Sequence, residues 1–346
     1  MKSSLRNRFR GAFCGALVGE AYGVLAEYQQ PLSPRRTVSS SQREIVLQSQ
    51  QLAQIYAASL IRKGDVDPQD LGEQLVHWRQ SAPSLSGNVP RPGEPAIAET
   101  LLDEATTAAI SRLRAGIPWH QASGTGTTAR ALPGLARIVP VALFFHENLA
   151  VLREKVYQTV VLTHNTLDAW YGALAIAHAI AIALRNELEP ERLLPRTLEY
   201  LQDEAAPLSA RLQDAQALLE AGADLETARL RLPLHQDPAA IIALAFYCFL
   251  STPDDFSLSI RRAVRCGNPA SILASLCGGL SGAYNGWTDV PVSWRLRYAT
   301  EPVALADQLL ATWAGAYTVL PVQEAVPLPM APVAAPGILR PRFKAT

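Results

Sequence analysis

The sequence predicts an all-α protein. Helical periodicity runs through most of the chain and strand-like alternation is scarce. The first apolar segment also carries Gly11, Gly15, Gly19 and Gly23 at a four-residue spacing. Small side chains at that spacing line one face of a helix and leave a smooth ridge on which a second helix can pack closely. With 346 residues, 49% of them hydrophobic, the chain can bury a sizeable core.

In chain order, Arg8 to Glu27 forms the ridge-bearing helix. The stretch is basic and then apolar, as a signal peptide would be, but glycines and Glu20 interrupt it, so it reads as a buried first helix. A second helix covers 43–61, with Ile45, Leu52, Ile55, Tyr56 and Leu60 as its apolar positions. Asp67, Pro68 and Gln69 open a third that runs to about Trp78, because Asp caps a helix start and Pro suits the first turn. Residues 79–97, rich in Ser, Pro and Gly, read as a loop, and helix returns over 97–115. Gly124 and Gly126 form a loop that leads into a helix around Ala129 to Phe145.

Trp170 to Leu184 is apolar on nearly every face. Its 15 residues are short for a bilayer, and His164 and His178 lie beside and within it, so it reads as a central core helix. Helices follow at 186–203, 206–221, 238–252 and 257–265, with a last core pair at 270–286 and 301–316. Six prolines in 321–346 predict an extended or disordered tail behind a helical domain of residues 1–320. Such a tail could dock a protein partner in polyproline II form or simply be solvated.

Formal charge is zero, so no long-range field favours nucleic acid or an anionic membrane surface. Cys14, Cys248, Cys266 and Cys277 form no C-x-x-C pair, and three lie in Ala/Gly-rich runs where a thiol behaves as a small hydrophobe. That usage fits the cytoplasm better than a disulfide framework.

Four segments, in order, resemble the ADP-ribosylglycohydrolase family. The first is Arg10-Gly11 through Gly15, Gly19-Glu20 and Gly23, then Glu27, with Glu20 standing where the family has Asp. The second runs from Ser59-Leu60 through Asp67-Pro68-Gln69-Asp70-Leu71 to Trp78. The third is Gly124-Thr125-Gly126, Arg130 and Pro133, followed by Thr163-His164-Asn165. The fourth holds Gly278, Gly282-Ala283-Tyr284, Gly286, Pro291 and Trp294. The resemblance covers roughly residues 8–316. It implies a compact multi-helix fold with a central cleft, and hydrolysis of ADP-ribosyl bonds assisted by two Mg²⁺ ions.

The family's metal ligands come from an Asp-Asp-Thr, here at about Gln48, Ser49 and Gln50, and from an Asp-x-Asp-Thr, here at Pro269, Ser271 and Ile272. A shifted count rescues neither place. Glu44 is the one acidic residue between Glu27 and Asp65, and 256–288 contains no Asp or Glu. Neutral amides and hydroxyls do not replace the anionic ligands that hold Mg²⁺.

The sequence therefore predicts no metal cofactor and no hydrolysis by the family's usual route. Glu20 and Glu27, two turns apart on one helix, are the weak candidates for a metal-free carboxylate pair; the competing reading is internal pairing and a helix end. Ligand binding is a separate matter. Gly124, Thr125 and Gly126 precede a helix whose first amides could face the phosphates of ADP-ribose or a related nucleotide, and Arg130 suits bidentate phosphate contacts. An internal salt bridge for Arg130 is the equal alternative. His164 and Asn165 either line the cleft or belong to the core, and His178 reads as core.

Overall fold

The computed structural model describes residues 3–29, 40–81, 103–123, 135–202, 205–234, 237–298 and 302–316. For 28, 29 and 40–51, among others, it describes the helix but not the side chains. The fold is all-α, with no strand among the described residues.

The first helix, α1 (Leu5–Gln29), and α14 (Ala270–Asn285) form the central seam. They run antiparallel, because Gly11 meets Gly282, Gly15 meets Gly278, Gly19 meets Ala274 and Gly23 meets Ala270. The contact is backbone on backbone. A Cβ at Gly278 would lie 2.2 Å from the Gly15 carbonyl oxygen, and one at Gly19 would lie 2.1 Å from that of Ala274. Glycine inside a helix costs about 1 kcal/mol against alanine. Here it is what allows the two helices to touch. The sequence supplied the ridge, and its partner is a second small-residue ridge at the other end of the chain.

Around this seam stand α2 (Ser40–Lys63), α3 (Pro68–Ser81), α4 (Glu104–Arg114) and the short α5 (Trp119–Ala122). Asp67 Oδ1 accepts the amides of Gln69 and Asp70 at 3.0 Å each, so the predicted start of α3 holds. Asp70 is buried, where its Oδ2 accepts from Ser59 Oγ at 2.6 Å and pairs with Arg62 at 2.5 Å. The Ser59…Asp70 motif is thus a joint between α2 and α3. Among the described residues, α4 begins at Glu104 behind the N-cap Asp103, and 97–102 of the helix predicted there lie outside them.

The helix predicted over Ala129 to Phe145 is shorter where it is described. A 3-10 turn (Leu135–Ile138) leads into α6 (Val139–Phe144), with Pro140 in its first turn, and 124–134 lie outside the described residues. Next, α7 (Leu149–Val160), capped by Asn148, was missed in the sequence. The apolar α8 (Leu167–Leu184) begins at the cap Thr166, and 83% of it is buried inside the protein. It is the one helix among the described residues long and apolar enough to cross a membrane, and here it is core. Its His178 is buried, stacks on Tyr200 at 4.4 Å and lies 3.1 Å from Thr197 Oγ1, as a core histidine should.

The next helix starts later than predicted. Asn186 is left-handed at φ 64° and Pro190 sets the first turn of α9 (Pro190–Leu201). Then come α10 (Ala206–Glu220), α11 (Leu225–Arg231), α12 (Pro238–Leu250) and α13 (Phe256–Arg265). Of these, α12 is apolar throughout and buries Phe246 and Phe249, each worth roughly 1.5–3 kcal/mol. After α14 follow α15 (Val292–Tyr298) and α16 (Pro302–Trp313). Trp294 stacks on Tyr22 at 4.5 Å, tying α15 to α1. Helices α5, α11 and α15 are too short to show a period, which is why the sequence did not reveal them.

Helical contacts form one compact unit through Ala316. The tail predicted for 321–346 lies outside the described residues. All four cysteines are free, buried thiols.

Candidate functional site

Two polar clusters hold those residues that the sequence singled out and the structure describes in contact, and they share no member. The first lies where α1 meets the start of α14. Pro269 is the N-cap of α14, and Ser271 and Ile272 follow half-buried in its first turn. Pro269 has no side-chain oxygen to cap with, so the helix takes a carboxylate from elsewhere. Glu27 Oε1, near the end of α1, accepts the Ser271 amide at 2.7 Å. A carboxylate on exposed N-terminal amides is favourable both as a hydrogen bond and against the helix dipole.

Glu20 lies half-buried two turns earlier on α1. Seven residues of helix separate the two Cα positions by about 10.5 Å of rise. Substituting Glu27→Ala should lower stability by about 1–2 kcal/mol and Glu27→Gln by less, since Gln keeps an acceptor. Urea unfolding measures both, and an Ala variant as stable as the parent would show that the contact contributes nothing.

This is also where the family resemblance would put metal ions. On α14 the donors at the ligand positions are a proline, one serine hydroxyl and an isoleucine. On α2 they are Gln48, Ser49 and Gln50, whose side chains lie outside the described residues. Among the described residues no three His, Cys, Asp or Glu side chains gather as metal ligands. Neutral oxygens in this number do not fit a pair of hard dications.

The second cluster is buried between α2, α4, α6 and α8. Asp103, the N-cap of α4, accepts the Thr106 amide at 2.8 Å on Oδ1 and the Thr106 hydroxyl at 2.7 Å on Oδ2. Arg137, in the 3-10 turn before α6, donates from Nη2 to Thr106 Oγ1 at 2.9 Å and lies 3.6 Å from Asp103 Oδ2. Its guanidinium carbon is 6.0 Å from the centre of the Tyr56 ring. His164 is buried. Its Nδ1 lies 2.8 Å from Thr163 Oγ1, and its Nε2 lies 3.0 Å from Asp103 Oδ1, an ion-pair distance without hydrogen-bond alignment.

Burial pushes the Asp103 carboxyl up. The His164 ring 3.0 Å away, the charge of Arg137 and the Thr106 amide outweigh it and hold the group well below the usual carboxylate range. Burial likewise pushes the Tyr56 phenol up, against the charge of Arg137.

His164 thus faces inward, with Nδ1 beside Thr163 and Nε2 beside Asp103, while its neighbour Asn165 is exposed. Gly124, Thr125, Gly126 and Arg130 lie outside the described residues. Sequence reading missed Asp103, Arg137 and Thr106. A signal for Arg137 was present, because Arg130-Ala-Leu-Pro133 recurs seven residues later as Arg137-Ile-Val-Pro140. The structure places the second copy in the core, and the first lies outside the described residues.

The sequence model of the ADP-ribosylglycohydrolase family matches residues 1–318. An uncharacterized protein of Archaeoglobus fulgidus is 24% identical over 302 residues, 84% of this chain and 91% of that one. Human ADP-ribosylhydrolase ARH3 is 24% identical over 333 residues, covering 84% of this chain and 88% of the relative. Among solved structures, an ADP-ribosylglycohydrolase-related protein complex superposes with a TM-score of 0.60 at 21% identity, over 91% of this chain and 99% of that one. That superposition supports the fold, and the match over nearly the whole helical unit supports the lineage: this chain belongs to the ADP-ribosylglycohydrolase family.

Proposed function

We propose that this chain is a family member that has given up Mg²⁺-dependent hydrolysis and binds ADP-ribose or a related nucleotide. The observation that carries the reading is the start of α14. No carboxylate stands at Pro269, Ser271 or Ile272, and Glu27, which reaches this helix start, accepts the Ser271 amide with Oε1. That bond also weighs against Glu27 as a metal-free catalyst with Glu20. The ligand-binding half rests on sequence: the Gly124-Thr125-Gly126 loop and Arg130 remain suited to phosphate, with Asn165 exposed beside His164.

Thermal unfolding of the full chain against ADP-ribose, with and without Mg²⁺, tests it. At about a hundred times the dissociation constant a ligand adds roughly 2.7 kcal/mol of stability. A rise that is independent of Mg²⁺ is the expected result. A rise that requires Mg²⁺ reopens hydrolysis, and no rise at all leaves a structural or partner-binding scaffold.

A further inference from the structure

A pocket of about 610 Å³ opens between α9, α10, α12 and α13. None of Glu20, Glu27, His164, Asn165 or Ser271 lines it. Leu194, Leu219 and Leu250 form apolar walls. Arg262 lines it, a cation held in place by an aromatic ring and its hydroxyl. Its guanidinium carbon stacks 5.5 Å from the centre of the Tyr247 ring, and its Nη2 donates to Tyr247 Oη at 3.2 Å. That hydroxyl is fixed in turn, donating to the Ala223 carbonyl at 2.6 Å. Arg262 Nε is buried with no hydrogen-bond partner, and no ion pair holds Arg262 among the described residues.

A half-buried guanidinium favours an anionic acceptor, and a carboxylate fits its outer fork. A simple anion would be opposed, however, by Glu191 and Glu220, which line the same pocket. Both are exposed, and Glu220 is steadied by Gln216 Nε2 at 2.8 Å. One fixed cation, two carboxylates and leucine walls complement a molecule that carries both charges and an apolar body.

We propose that this pocket binds a small apolar zwitterion, a short peptide with free termini. Its carboxylate lies on Arg262, its ammonium lies toward Glu191 and Glu220, and its side chains lie on the leucines.

Calorimetric titration of the full chain with the dipeptide Leu-Leu, its N-acetyl form and its C-terminal amide tests this. Leu-Leu should bind saturably, and blocking either terminus should weaken binding by about tenfold or more, as the loss of a charge-assisted hydrogen bond does. In Arg262→Gln, Leu-Leu and its amide should bind alike; in Glu191→Gln/Glu220→Gln, Leu-Leu and its acetylated form should. Equal affinity of all three compounds for the unaltered chain, or no saturation by any, overturns the proposal without recourse to a variant that fails to fold.

Discussion

Gly278→Ala should destabilise this protein by about 3 kcal/mol or more, while Gly279→Ala, one residue along the same helix, should leave it unchanged or gain up to about 1 kcal/mol. The two positions share a helix, a buried environment and a substitution. They differ in what a methyl group meets. At Gly278 it meets the Gly15 carbonyl oxygen at 2.2 Å and its carbon at 2.9 Å. Backbone in mid-helix cannot swing aside as a side chain can, so α1 and α14 must separate along the whole seam. Overpacking costs about 1–3 kcal/mol in ordinary cores, and contact with backbone falls at or above the upper end.

At Gly279 the nearest atom is Val139 Cγ2 at 3.5 Å, an ordinary contact, so the helix propensity of alanine, worth about 1 kcal/mol, is free to act. Against a total stability of about 5–15 kcal/mol, the difference is large. Chemical denaturation of the two variants side by side measures it. Equal midpoints would mean that the seam opens without cost and that the glycine ridges do not dictate the packing of α1 on α14.

The second large effect belongs to Asp103. Asparagine keeps the capping oxygen of α4 but removes the charge that faces Arg137 and His164. Breaking a buried ion pair from one side costs about 3–5 kcal/mol, because the remaining charge is left without compensation. Asp103→Asn should lose about that much near neutral pH, and Asp103→Ala roughly 1 kcal/mol more with the cap.

The pH dependence has a definite sign. The carboxyl is held below its unfolded value, so its contribution is fully present above about pH 4, where the unfolded carboxyl is also ionised. It is lost as pH falls from there through the folded value. Parent and Asp103→Asn should therefore converge in stability on acidification. A difference that stays constant between pH 7 and pH 3 would show that the charge of Asp103 is not what stabilises the cluster.

How much could be read in advance varied with the distance over which each feature is set. The start of α3 was legible because Asp67 accepts amides two and three residues away and the fixed φ of Pro68 suits the first turn. The central helix α8 was legible because its residues are apolar all round, and a helix of that kind is stable only when surrounded. Other boundaries slipped where a local signal was ambiguous. Asn186 gives no warning of a left-handed turn, and α9 waits for Pro190.

The site was less legible than the fold. Two Arg-x-x-Pro copies are equivalent as text, and only the fold brings Arg137 to Asp103 and His164. Glu27 could be read as a catalyst or as a helix end, and the fold brings its Oε1 onto the Ser271 amide, a contact between residues 244 positions apart.

By itself the sequence determined the helical class, the small-residue ridge on α1 and the lack of carboxylates through the start of α14. Each depends on residue identity and on a helical period set by hydrogen bonds four residues apart. The tertiary structure decided which ridge α1 lies against, which carboxylate reaches the first turn of α14 and that Arg137 meets Asp103 in the core. Those are pairings between segments far apart in the chain, fixed only when apolar faces and buried charges must all be satisfied in one packing.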